Sequence, residues 1–240
     1  MVSDLLSTGT DREEHRDQLI MNCLSHAYRF LHDPYLAAGT CVPDWLGMVD
    51  RKTRVRRNGA WWIADAAEET PATRSIARGI VQHLEDDEWF HRGRAFVELS
   101  MLVGDQIAEC LAGDRGIRSG FLGHVLVELL LDSAVAERHP GALDDYYRVM
   151  AEVDPRTLQD AVNQIAAKPT DRLEGFMPRY LKERFLYDYL EDRTLLRRLN
   201  GVARRVDLPE LPDSMLGVIG AARPLVRRRQ DELLDVNSCG

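Results

Sequence analysis

The sequence predicts an all-α protein, a single-domain bundle of about seven or eight helices, and three observations carry that reading. Apolar residues recur at three- and four-residue spacing over about 12–31, 73–91, 94–112, 118–138, 142–152, 155–167, 172–199 and 213–235. Segments such as VDPRTLQDAV and KPTDRLEGF carry the Asp, Thr and Pro that cap and start helices. Nowhere does a series of alternating, β-branched segments between tight-turn residues suggest a sheet.

In chain order, residues 1–20 (MVSDLLSTGTDREEHRDQLI) are polar and acidic, without the apolar core of a secretory signal. The first periodic segment then places His26 among apolar residues in MNCLSHAY, and His32-Asp33-Pro34 punctuates its end. In GTCVPDW, Asp44 follows Pro43, where a new helix could start with Asp44 as its cap. Residues 51–70 read as an irregular or partly helical excursion, in which Arg51, Lys52, Arg54, Arg56 and Arg57 form a dense positive cluster. Further breaks fall at Gly113-Asp114, at His139-Pro140-Gly141 and between Leu208 and Pro212. None is long enough for an interdomain linker, so residues 21–240 read as one domain and 1–20 as an N-terminal extension.

At 45% hydrophobic and 29% charged, the 240 residues have the composition of an ordinary globular protein. The balance of 31 basic against 39 acidic side chains, −8 net, argues against a general nucleic-acid or membrane-surface binder. No apolar run approaches the roughly 20 residues that span a bilayer. The four scattered cysteines form no CxxC pair, so reduced thiols in a cytoplasm are expected, with Cys23 and Cys41 as buried small hydrophobes.

Two ladders of metal-capable side chains stand out: His83, Asp87 and His91, then His124, Glu128 and Asp132. Four-residue spacing stacks each set along one helix face. In FLGHVLVELLL, His124 and Glu128 are the ionisable residues of an otherwise apolar stretch. A helix apolar nearly all round belongs in a core, where an uncompensated charge costs several kcal/mol. A metal ion shared with the first ladder is the simplest partner. His26 and Asp44 join the candidate set, Asp86 is an outer partner or alternative ligand, and Asp132, near its helix end, is a poorer candidate that could simply face water. Mixed imidazole and carboxylate donors suit one or two divalent ions such as Mn, Mg, Fe or Zn. Such ions acidify a bound water and clamp phosphoryl oxygens.

The succession Met21-Asn22-Cys23-Leu24-Ser25-His26, Gly39 through Asp44, and Gly79-Ile80-Val81-Gln82-His83 through Asp87 resembles the acyl carrier protein phosphodiesterase family, relatives of the HD-domain phosphohydrolases. The resemblance covers about residues 21–135. It implies an HD-domain-like fold and a phosphodiester hydrolase, commonly manganese-dependent, that uses a metal-activated water. Acyl carrier protein or another phosphorylated substrate would be the partner. His26, Asp44, His83 and Asp87 carry over as site residues. The chain departs from the pattern at His91, where the family often has a carboxylate, and at His124 and Glu128, which replace paired Asp residues. It also has Leu84 where an arginine usually follows the histidine. Because the family motif ordinarily opens the protein, Met21 would be the natural start.

The expected metal ligands are therefore His26, Asp44, His83, Asp87, His91, His124 and Glu128, with Asp87 and His124 as the catalytic pair. Arg51, Arg54, Arg56 and Arg57 would meet a phosphate or an acidic carrier protein. Two alternatives stay open. One is a non-catalytic helical protein with a structural metal or a buried polar network. The other is a di-metal redox enzyme, against which the four-residue spacings count, since di-iron bundles use Glu-x2-His.

Overall fold

The computed structural model describes residues 22–112 and 118–234, and among these there are helices and no strands. The expected extension 1–20, the break at Gly113-Asp114 and Cys239 lie outside the described residues. Helix α1 (Cys23–Ala27) continues into a 3-10 turn and is followed by α2 (Pro34–Val49), α3 (Arg57–Asp65), α4 (Pro71–Arg92), α5 (Arg94–Cys110) and α6 (Ser119–Arg138). The second half comprises α7 (Ala142–Met150), α8 (Pro155–Ile165), α9 (Leu173–Glu183), a 3-10 segment (Phe185–Leu190), α10 (Asp192–Arg205), α11 (Met215–Arg228) and α12 (Gln230–Leu234).

Local chemistry explains where these begin. Asp33 accepts from the amides of Tyr35 and Leu36 with Pro34 at the first helical position, and Thr70-Pro71 and Asp154-Pro155 repeat the device for α4 and α8. The core then orders them. Helix α2 lies along α4, α5 lies along α6, and α6 runs between α1, α11 and the 3-10 segment. By length and composition α6 could cross a membrane, although the longest apolar run in the sequence is shorter; 72% of its apolar window is buried by the other helices.

Three expectations need correction. Helix α2 runs straight through Pro43 and Asp44, so Asp44 sits on a buried helical face and caps nothing. Burial of the whole segment from Ala37 to Gly47 outweighs the hydrogen bond that Pro43 cannot donate. The stretch 172–199 is broken at Arg184, whose φ of 43° is left-handed and starts the 3-10 segment. The last helix is likewise divided, at Arg229.

The α2–α4 crossing sets the site's register. A Cβ on Gly79 would overlap the Leu36 carbonyl and lie 2.7 Å from Gly39 Cα, so only glycines permit this approach. The two glycines of the family-like motif thus let α2 and α4 touch through their backbones. Thr40 follows Gly39 directly and Asp44 lies just over one turn on along α2, while His83 and Asp87 lie about one and two turns beyond Gly79 on α4.

Candidate metal centre

The ligand atoms gather into two triads, His26–His83–Asp87 and His91–His124–Glu128, each with its atoms within 4.8 Å of one another. Helix phase divides the first sequence ladder between them: His83 and Asp87 belong to the inner triad, and His91, one turn on, to the outer. The expected set shared by both ladders is therefore two neighbouring sets. Asp44 flanks the inner one, 3.9 Å from His83 Nε2.

In the inner triad, His83 Nδ1 lies 2.7 Å from the Thr40 carbonyl. A carbonyl only accepts, so Nδ1 carries the proton, and the neutral ring has its lone pair on Nε2. That atom faces Asp87 Oδ2 at 3.2 Å as well as Asp44. Lone pair against carboxylates is repulsive unless a cation, proton or metal, lies between them. His26 stacks on His83 with ring centroids 4.2 Å apart. Its Nε2 is 3.4 Å from Asp87 Oδ1 but lacks hydrogen-bond geometry, which leaves a buried orphan. Burial disfavours a charged His26, yet Asp86 and Asp87 outweigh it and hold its pKa well above the ordinary value. Burial likewise opposes ionisation of Asp87, but His83 and His26 prevail and hold it well below the usual carboxylate range. Asp44 goes the other way: burial pushes it well up, and the Cys23 thiol, Asp87 and Glu128 add to this. A group that senses both Asp87 and Glu128 joins the two triads electrostatically.

The outer triad hangs on Glu128. Its Oε1 meets His91 Nε2 at 2.8 Å and His124 Nε2 at 3.0 Å, the latter again without hydrogen-bond geometry. Burial would raise Glu128, but the two imidazoles hold it below its usual pKa. The edge of Phe96 packs on His124, and Phe90 and Phe96 border His91. Asp87 and His91 are each 31% exposed, so both reach solvent.

Asp132 does not face water. It is buried and accepts from Leu24 N (3.1 Å), Ser25 N (2.7 Å) and Ser25 Oγ (2.5 Å), capping the start of α1 from across the core. Helix α1 has no side-chain cap of its own, so Asp132 holds the turn that presents His26. Asp86 is an outer partner, bonded to Arg29, Gln82 and the Trp89 indole, with His26 Nδ1 3.6 Å away.

The basic cluster does not assemble at the triads. Arg57 donates to Leu84 O and pairs with Glu88, beside Asp87 in sequence but neutralised. Arg51 and Arg54 bond to the carbonyls of Arg205 and Thr53, Arg56 precedes α3 as an exposed residue, and Lys52 is exposed. Glu88 and His91 do have Glu-x2-His spacing, but Glu88 turns to Arg57 and Arg92 and leaves the outer triad. Cys23 and Cys41 are buried as expected, and Cys23 Sγ contacts Asp44 Oδ2 at 3.9 Å.

Orphan imidazole nitrogens, a lone pair aimed at carboxylates and a mixed N/O donor set all fit a divalent ion of intermediate hardness. No family model, curated protein or solved structure matches the chain in comparison, so the arrangement speaks for itself.

Proposed function

We propose that the chain is a metal-dependent phosphohydrolase with an HD-domain-like bundle, acting on a phosphodiester as the acyl carrier protein phosphodiesterases do. The observation that supports it best is His83, whose ring is fixed by Thr40 so that Nε2 faces Asp87 and Asp44. Each triad would hold one ion, with manganese favoured by the resemblance and magnesium, iron or zinc as the other candidates. Such ions supply Lewis acidity, which neutralises phosphoryl charge and makes water a better nucleophile.

The chain's own residues do the rest. Asp87, held ionised and partly open to solvent, takes the proton of the attacking water on its carboxylate. His124, 18% exposed and braced by Phe96, would hold the ion of the outer triad through Nε2, and solvent at its exposed edge returns a proton to the departing oxygen. Phe90 and Phe96 keep water from the far side of the outer triad. A carrier protein or another phosphorylated molecule as substrate, and a cytoplasmic location, belong to the same reading.

Elemental analysis of purified protein and hydrolysis of bis(p-nitrophenyl) phosphate with added manganese test it. His83→Ala and His124→Ala are each expected to lose both metal and turnover; unchanged activity in either would sink the proposal. A specific observation favours one other reading. Each imidazole of the triads already lies within 3.6 Å of a carboxylate, as a purely structural polar network requires. That network predicts metal-free protein whose melting does not respond to a chelator.

A further inference from the structure

The carboxyl end of α2 opens into a groove between α9, the 3-10 segment and α10. It consists of two cavities of about 640 and 190 Å³ that share Met48, Glu183, Phe185 and Arg205. Arg172, Arg179 and Arg205 line the larger, and Arg197, Arg198, Arg204 and Arg205 the smaller, where Arg198 is paired with Asp188. Arg51 joins them by donating to the Arg205 carbonyl at 2.7 Å.

How these arginines are held matters. Many guanidinium groups elsewhere meet carboxylates, as in Arg94–Glu98, Arg193–Asp213 and Arg223–Asp192, while Arg54 and Arg74 bond to carbonyls singly, outside any cavity of this kind. Arg172 donates instead to Val49 O and Arg179 to Gly175 O. Among the described residues, Arg51, Arg172, Arg179 and Arg205 have no ion-pair partner. Carbonyl bonds fix a guanidinium in place without cancelling its charge. Burial, followed by the nearby charges of Arg51, Arg204 and Arg198, lowers the Arg205 pKa, the mark of like charges crowded together. Two carboxylates, Asp171 and Glu183, also line the larger cavity, and Asp50 feels the charge of Arg172, yet the arginines of the groove outnumber these carboxylates. A chain of net charge −8 that leaves such a cluster uncompensated has left room for an anion from outside. The cavity has the size of a small-molecule site, and Phe176 and Phe185 give it an apolar wall.

We propose that this groove binds a small organic phosphate, with the arginines forking onto its phosphate oxygens and its carbon skeleton against Phe176 and Phe185. The groove begins at Met48, one helical turn beyond Asp44, and is a separate site from the triads. It stands whether or not the triads hydrolyse anything.

The test is calorimetric titration of inorganic pyrophosphate into the full chain, with a chelator present so that no metal bridges the ligand. Saturable binding is expected, unchanged in His83→Ala. Arg172→Gln/Arg205→Gln is expected to weaken it at least tenfold, and Arg179→Gln alone several-fold. Arg193→Gln is the control for net charge, since Arg193 lies about 18 Å along α10 from Arg205. No saturable binding, equal weakening in the control, or undiminished binding in the double variant would overturn the proposal. So would binding of a polyglutamate peptide without binding of pyrophosphate, which would mark the groove as a docking surface for an acidic protein.

Discussion

The two triads use the same chemistry in different surroundings. The inner one, with Asp44 flanking it, draws on three helices: His26 comes from α1, Asp44 from α2, and His83 and Asp87 from α4. Its imidazoles are sealed, and each is held by an outer partner, Thr40 for His83 and Asp86 for His26. The outer one draws on α4 and α6, centres on a single carboxylate oxygen and is partly open at both imidazoles. A sealed, braced set of donors has its geometry decided before anything binds; an open one can exchange ligands with solvent. The inner triad is thus suited to hold an ion, and under the proposed hydrolase reading the outer one would meet substrate.

The sharpest way to break this contrast is His83→Ala. It removes the ring that links Thr40 to Asp87 and leaves the buried Asp44 facing the partly exposed Asp87. Emptying the site of a buried ring and leaving the Thr40 carbonyl without its donor costs about 3–5 kcal/mol. Urea unfolding of the metal-free protein should show a loss of that order, and manganese should no longer raise the melting temperature. A loss below about 1 kcal/mol, typical of an exposed pair, would mean that the inner set is not braced as described.

Gly79→Ala tests the register without touching a ligand. The added methyl must displace the Leu36 carbonyl and Gly39, so α2 and α4 part locally, at a cost of about 1–3 kcal/mol for overpacking. Because Asp44 and His83 sit on opposite sides of that crossing, metal affinity at the inner triad should fall with stability. Stability loss with unchanged metal content would separate the fold from the site.

Asp132→Ala probes the cap that holds α1. It should cost about 2 kcal/mol, since three donors on α1 lose their acceptor. The pH dependence carries a sign. Burial pushes the Asp132 pKa up to about 7 in the folded protein, against about 3.9 unfolded. Between those values the folded chain holds a proton that the unfolded chain releases. The contribution is therefore complete below about pH 4 and is lost as pH rises to about 7. Asp87, held low in the fold, acts oppositely: its contribution is present above about pH 4 and is lost as acid titrates it through its lowered folded value. Stability against pH should thus be steeper in its rise with pH between 4 and 7 for Asp132→Ala than for the parent; a parallel curve would remove the buried carboxyl from the account.

The helices and most of the site were legible in the sequence because both follow from spacing. Four-residue ladders placed His83 with Asp87 and His124 with Glu128, and an apolar surround marked the second pair as buried. Three things were not legible. Pro43 signalled a break that tertiary burial overrode, and this hid the helix carrying Asp44. Asp132 reads as a poorer candidate because nothing local shows that a helix more than 100 residues away lacks a cap. The arginine groove is assembled from Arg51, Arg172, Arg179 and Arg205, which are scattered along the chain, while the dense run at 51–57 disperses onto backbone carbonyls and Glu88. Local pattern reveals what one helix face carries; it does not reveal which distant faces meet.

The smallest effect expected is also the one that best separates the triads. His91 is 31% exposed and touches Glu128 from outside, while His124 approaches the same oxygen from within α6. Removing His91 leaves Glu128 one imidazole, and a partly solvated ion pair contributes no more than about 1 kcal/mol. His91→Gln should therefore melt within a few degrees of the parent and keep the metal of the inner triad in full. If the outer triad meets substrate, turnover of the phosphodiester should drop much further than stability, with KM rising as the second ion is lost. Activity and stability falling together would instead place His91 among the groups that merely hold α4 against α6.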